Sequence, residues 1–246
     1  MESYGELSSI YDELIYEDIN YDEFYDCIIK LCKEYKIEDE NYLDLACGTG
    51  NLSRLLCKNF RNTYLVDLSE EMLMEATEKL RKEKVNSKIL CQNMCELNLN
   101  KSFDLITCSL DSTNYIIEDE DLEDYFSAVY NHLKDNGLFI FDINSYYKLS
   151  EILGNNIFTY NSQDVFYTWE NIFEDDVLEM NLTFFLKEGE LYKRFEEQHL
   201  ERAYTTDYID SLLKGTGFKI LKKLDNYREE TIIDNTERIT YVVSKC

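Results

Sequence analysis

Between residues 42 and 144 the chain repeats one alternation. A short, nearly continuous apolar run is followed by a stretch whose apolar positions recur every three or four residues. The apolar runs are Tyr42–Cys47, Thr63–Leu68, Lys88–Gln92, Phe103–Leu110 and Leu138–Asn144. The helical stretches, Leu52–Phe60, Ser69–Lys82 and Glu118–Lys134, lie between them. A further helix over Tyr21–Tyr35 precedes them, with Phe24, Ile28, Leu31 and Tyr35 on one face. Runs that are apolar throughout fit strands buried on both faces. Strand–helix alternation of this kind predicts a doubly wound, mostly parallel sheet with right-handed crossovers. The chain has no proline, so Gly, Asn and Asp must mark its boundaries, and Asn136-Gly137 reads as the turn into the fifth strand.

From about residue 156 the pattern changes. Val165–Phe173, Val177–Leu186 and Leu191–Leu200 read as strands, separated by the polar turns 174–176 and 187–190. These are expected to form an inserted antiparallel hairpin region. The helix Thr206–Lys214 and the strands Phe218–Leu224 and Arg238–Val243 then return to the α/β pattern. The expected division is a nucleotide-binding domain, 1–150 plus 203–246 with an N-terminal helical cap, and a small β unit, 151–202, that covers the substrate.

One segment carries more than fold information. In Asp44-Leu45-Ala46-Cys47-Gly48-Thr49-Gly50, small residues at 46, 48 and 50 let the backbone turn tightly at a strand end and approach a ligand. The next strand ends in Asp67, the position from which a carboxylate holds both hydroxyls of a ribose. Nicotinamide or flavin dinucleotides and S-adenosylmethionine both use such a site. The dinucleotide fingerprint needs a third glycine, where this chain has Ser53. Asp44 would also repel a pyrophosphate but suits the ammonium of an amino-acid tail.

With Val66-Asp67-Leu68-Ser69 and Met72-Leu73 downstream, the segment resembles motif I and the acidic follower of class I S-adenosylmethionine-dependent methyltransferases. Further matches are Gln92-Asn93-Met94, Phe103–Asp111 and His132–Leu138, and the resemblance runs through His199, Arg202, Ala203 and Tyr204. The group it is most similar to is that of small bacterial methyltransferases related to amino-sugar N-methyltransferases. The resemblance implies a Rossmann-like fold with a seven-stranded sheet. It also implies transfer of a methyl group from S-adenosylmethionine, with S-adenosylhomocysteine as product, to a small-molecule acceptor such as an amine.

Site residues follow by position. Ala46, Cys47, Gly48 and Gly50 are expected along the methionine moiety, with Asp44 near its ammonium and Asp67 on the ribose. Leu68 and Met72 would flank adenine, Asn93 and Met94 would face its edge, and Leu110 would border the methyl-transfer centre. Tyr11 and Tyr21 would close over the cofactor. Candidate bases for the acceptor are Asp111, His199 and Tyr11. Each has a structural alternative: a turn residue, a hydrogen-bonding group in the last hairpin and a packing aromatic, respectively. Trp169 reads as core. Two other functions stay open at this point, a NAD(P)-dependent Rossmann oxidoreductase and a non-catalytic protein that binds S-adenosylmethionine or a nucleoside.

Fifty Asp and Glu against twenty-five Lys and Arg give a net charge of −25, which argues against nucleic-acid phosphates or anionic membranes as partners. The negative charge concentrates in residues 1–42, 111–130 and 164–181. Two of these are the expected cap and insertion, which biases the pocket mouth toward neutral or cationic acceptors. Eight cysteines without a CxxC pair, and only two histidines, give no zinc pattern. Reduced cysteines and the lack of a leader or spanning segment point to a cytoplasmic protein, monomeric or homodimeric.

Overall fold

Apolar residues alternate across the strands of the central sheet, and each set meets its own layer of helices. In the computed structural model, which describes residues 11, 12, 14 and 19–246, five parallel strands form this centre. They are β1 (Asn41–Leu45), β2 (Asn62–Asp67), β3 (Lys88–Cys91), β4 (Phe103–Cys108) and β5 (Leu133–Asn144). On one face Leu43, Leu45, Val66, Ile106, Phe139 and Phe141 pack against α4 (Asp119–His132) and α5 (Thr206–Thr216). On the other, Tyr42, Leu65, Leu105 and Ile140 pack against α1 (Tyr21–Glu34), α2 (Ser53–Leu56) and α3 (Glu70–Lys82). Both layers exclude water from large side chains, each fully buried one contributing about 1.5–3 kcal/mol.

The strand order is β11-β10-β12-β5-β4-β1-β2-β3, where β10 is Phe218–Asp225, β11 Arg228–Thr231 and β12 Arg238–Lys245. The seven expected strands are all present. The short β11 adds an eighth at the edge, antiparallel to β10, and β12 runs antiparallel to β5. The chain builds outward from β1 to β2 and β3, then crosses back to β4 and β5. The reversal between β1 and β4 opens a crevice at the carboxyl ends of the strands.

Gly137 is not in a turn. β5 already begins at Leu133, and neither Asp135 nor Asn136 has a positive φ. A Cβ on Gly137 would lie 2.8 Å from Leu133 Cδ1 and 3.0 Å from the Phe103 carbonyl oxygen. Close approach of two backbones, rather than a reversal, demands glycine there.

The second sheet is antiparallel, β6 (Ile157–Asn161), β7 (Val165–Glu174), β8 (Val177–Glu188) and β9 (Leu191–Arg202). β6 adds a strand to the three expected. This sheet packs Leu178 and Met180 on Leu149 and Leu153, with Trp169 alongside. The two ends of the inserted chain meet at one side chain, that of the fully buried Asn114. Its Nδ2 donates to the carbonyls of Asn144 (3.1 Å) and Arg202 (2.9 Å), and its Oδ1 accepts from the Asn144 amide (2.9 Å). Among the described residues no helix is long and apolar enough to cross a membrane.

Candidate functional site

The crevice at the β1–β4 reversal is a cavity of about 670 Å³, walled by the turn after β1, the ends of β2 and β3 and the loop after β4. The turn is built by positive φ at Ala46 (50°), Gly48 (53°) and Gly50 (75°). Ala46 pays the left-handed strain that glycine would avoid, about 1–2 kcal/mol. Asp67, at the end of β2, holds the turn against the strand: its carboxylate accepts the amides of Gly48 (2.7 Å) and Ser69 (2.9 Å). Burial raises its pKa, and these backbone donors oppose the rise. A carboxylate has about four lone-pair sites, so Asp67 retains acceptors for a pair of hydroxyls. Asp44 accepts hydroxyls from Ser53 and from Thr107 (2.6 Å). Burial nevertheless pushes it up to about 6.

Tyr11, Tyr21, Asp44, Ala46, Cys47 and Gly48 all line this cavity. So do Asp67, Leu68, Met72, Asn93, Met94 and Leu110. Gly50 does not. It faces α3, where an added Cβ would sit 3.2 Å from Ala76 Cβ, so it packs the turn against the helix. Asn93 Oδ1 accepts the Cys95 amide at 3.0 Å, capping the next short turn and leaving one lone pair for a ligand.

Two of the three candidate bases lie off the cavity wall. Asp111 is tied to Arg238 (Nη2–Oδ1 2.6 Å), itself buried against Asp142. Asp142 is fully buried and organises the loop after β4. It accepts the amides of Leu110 (2.8 Å) and Asp111 (2.7 Å), the Tyr227 hydroxyl (2.7 Å) and the Arg238 guanidinium. Leu110 and Asp111 are consecutive left-handed residues (φ 61° and 53°), a conformation that persists only because surrounding bonds over-determine it. His199 stands behind the cavity wall, edge-on to Tyr115 at 5.9 Å, and burial lowers its pKa to about 4. It is therefore neutral at pH 7 and braces a lining aromatic. Tyr11 alone of the three reaches the cavity.

Residues 43–137 match the methyltransferase-domain family. A provisionally named methyltransferase of Geobacillus sp. (strain WCH70) is 33% identical over 99% of this chain and 100% of its own length. A crystal structure of an S-adenosylmethionine-dependent methyltransferase from Clostridium acetobutylicum ATCC 824 has 53% identity and a TM-score of 0.94, covering 98% of each chain. The chain belongs to the S-adenosylmethionine-dependent methyltransferases. The oxidoreductase reading falls with that assignment. The sugar N-methyltransferase KedS8 from Streptoalloteichus sp. ATCC 53650 shares the fold at 18% identity, with a TM-score of 0.78 over 96% of this chain and 93% of that one.

The residues of this methyltransferase fit its cofactor. The cavity wall carries Asp44, Asp67, Glu70 and Glu71 and, among the described residues, no Lys, Arg or His. A sulfonium with an ammonium tail is a cation, and a wall of carboxylates suits it. Among the described residues no cluster of metal-ligating side chains forms, and the eight cysteines are free thiols.

Asp142, Arg238, Tyr227 and Glu201 are absent from the motif reading, because their partners lie 30 or more residues away. Glu201 is buried and accepts Asn144 Nδ2 at 2.8 Å. Burial, then the charge of Asp111, pushes it up to about 8 against the pull of Asn144, Lys148 and Arg238. A carboxyl whose folded pKa lies above its unfolded value of 4.5 contributes most below that value and loses its contribution as pH rises toward 8. Glu201→Gln keeps an acceptor for Asn144 and never ionises. Its melting temperature relative to the wild type should therefore rise steadily from pH 5 to pH 8 and level off above. A pH-independent difference would show that Glu201 does not titrate in this window.

Proposed function

We propose that this methyltransferase moves the methyl group of S-adenosylmethionine to a small-molecule acceptor that is neutral or cationic, with an amine as the leading class. One observation carries the reading: the described lining residues of the cavity include no lysine, arginine or histidine to pair with an anionic acceptor. Such a wall offers no counter-charge to a phosphorylated or carboxylated acceptor and leaves a neutral or positive one favoured. The acid-rich stretches 111–130 and 164–181 add to that field from the loop after β4 and from the second sheet.

The cofactor brings an already activated methyl group on a sulfonium. The protein's task is alignment, an effect worth up to about 7–11 kcal/mol. In this reading Asp67 holds the ribose hydroxyls, and Asp44 sits by the ammonium. Leu68 and Met72 flank the adenine, whose edge meets Asn93 and Met94. Leu110 and Tyr115 border the acceptor, with Tyr11 the group placed to take or relay its proton. The unit 151–202 covers the acceptor side. The amine preference has support from the charge of the wall; the sugar N-methyltransferase shares only the fold.

The test combines melting with turnover. At about 100 times its dissociation constant, S-adenosylmethionine or S-adenosylhomocysteine should stabilise the protein by about 2.7 kcal/mol, whereas NAD should not. For a chain of this size that is a rise of roughly 5–10 °C. Release of S-adenosylhomocysteine across a panel of acceptors should then favour amines over their carboxylated or phosphorylated counterparts. Faster turnover of the anionic members would overturn the charge argument.

A further inference from the structure

Lys79, in the last turn of α3, has its ammonium turned inward onto the turn after β1. An ammonium has three N–H donors, and here each has an acceptor: Asp12 Oδ2 at 2.6 Å, Thr49 Oγ1 at 3.1 Å and Asn51 Oδ1. The other oxygen of Asp12 is filled as well, accepting Thr49 Oγ1 at 2.6 Å and Asn51 Nδ2 at 2.8 Å. Thr49 and Asn51 are buried, at 2% and 3% exposure, and Asn51 Nδ2 also reaches the Tyr21 hydroxyl at 3.4 Å. This is a closed network in which a residue from the N-terminal segment supplies the anion. Burial works against both charges, but Lys79, Thr49 and Asn51 hold the Asp12 carboxyl below its usual range.

The network has two connections to the cavity. Thr49 and Asn51 belong to the turn that forms its wall, and Tyr11, next to Asp12 in the chain, lines it. Engaging Asp12 and placing Tyr11 at the cavity are therefore one structural event. Without Asp12, Lys79 would keep its charge beside buried dipoles with one donor unmet.

We propose that the Asp12–Lys79 pair is a latch that sets the residence time of the cofactor and of its demethylated product. Asp12 and Lys79 act as positioning residues: neither lines the cavity, and both act through Tyr11 and the turn. The inference rests on the reading that this cavity holds S-adenosylmethionine.

The experiment measures the dissociation rate of S-adenosylhomocysteine from the full chain by rapid mixing. Asp12→Asn and Lys79→Met should each speed release about tenfold, and the double variant should release no faster than either single one. The charge-exchanged pair, Asp12→Lys with Lys79→Asp, should recover part of the slow release. A general loss of structure would give none of this pattern, and a single cooperative melting transition for unliganded Asp12→Asn controls for it. If Lys79→Met fails to fold, Asp12→Asn and the charge-exchanged pair decide alone. Release within twofold of the wild type, or additive effects in the double variant, overturns the latch. A wild-type protein that does not bind S-adenosylhomocysteine removes the cavity reading and the latch together, whereas normal binding with unchanged release removes the latch only.

Discussion

Asp67→Ala should abolish the thermal stabilisation by S-adenosylmethionine and weaken its binding by at least about 100-fold. Hydrogen bonds to a charged acceptor contribute about 1.5–3 kcal/mol each, and two ribose hydroxyls give about 3–6 kcal/mol. The same carboxylate accepts the Gly48 and Ser69 amides, so its removal also loosens the turn that shapes the cavity. Asp67→Asn separates the two effects. It keeps an acceptor for the turn but loses the charge and half the acceptor capacity, so it should fold closer to the wild type and still bind poorly. The check is a melting series with and without ligand, together with calorimetric titration. An unchanged ligand-induced shift in Asp67→Ala would remove this residue from the site.

The second large effect is on folding. Asp142→Ala leaves the Arg238 guanidinium in the interior with Asp111 as its remaining ion-pair partner among the described residues. It also strips an acceptor from two amides and from the Tyr227 hydroxyl. Removing one partner of a buried pair costs about 3–5 kcal/mol, a large part of a typical stability of about 5–15 kcal/mol. The melting temperature should fall by roughly 6–20 °C. The loop after β4 should suffer first, since Leu110 and Asp111 are held left-handed by Asp142 and Leu110 lines the cavity. Faster amide hydrogen exchange at residues 110–111 in Asp142→Asn, under conditions where the protein stays folded, would register that loosening. A variant that melts with the wild type would show that the network stores no stability.

What could be read from the sequence and what could not divide along the range of the interactions. Gly48, Asp67, Leu68 and Met72 lie on a strand, a turn and the start of a helix, and local pattern places all of them on the cavity wall. Gly50 stands off the cavity wall because its neighbour, Ala76, is on another element. Asp111 and His199 are candidates by their chemistry alone. Their actual neighbours, Arg238 127 residues away and Tyr115 on the loop after β4, assign them to bracing rather than to the wall. Asp12, Lys79 and Asp142 gave no signal at all, since a single charged residue in an acid-rich chain looks like solvent-facing charge until the fold supplies its partner. β6 escaped because its residues, Ile157 to Asn161, are mostly exposed and carry little alternation. Gly137 read as a turn because the contact that requires it comes from the neighbouring strand.

Asn114 has a consequence for how the two sheets are joined. The chain departs from the large sheet at Asn144 and returns at Arg202, and one amide side chain grips both points. The spacing at which the second sheet is joined to the first is therefore held at both ends by one residue. The motifs around Gly48 and Asp67 are set by strands on the other side of that junction. Asn114 is thus the single splice that keeps the second sheet in register with the domain that carries the Gly48 turn and Asp67.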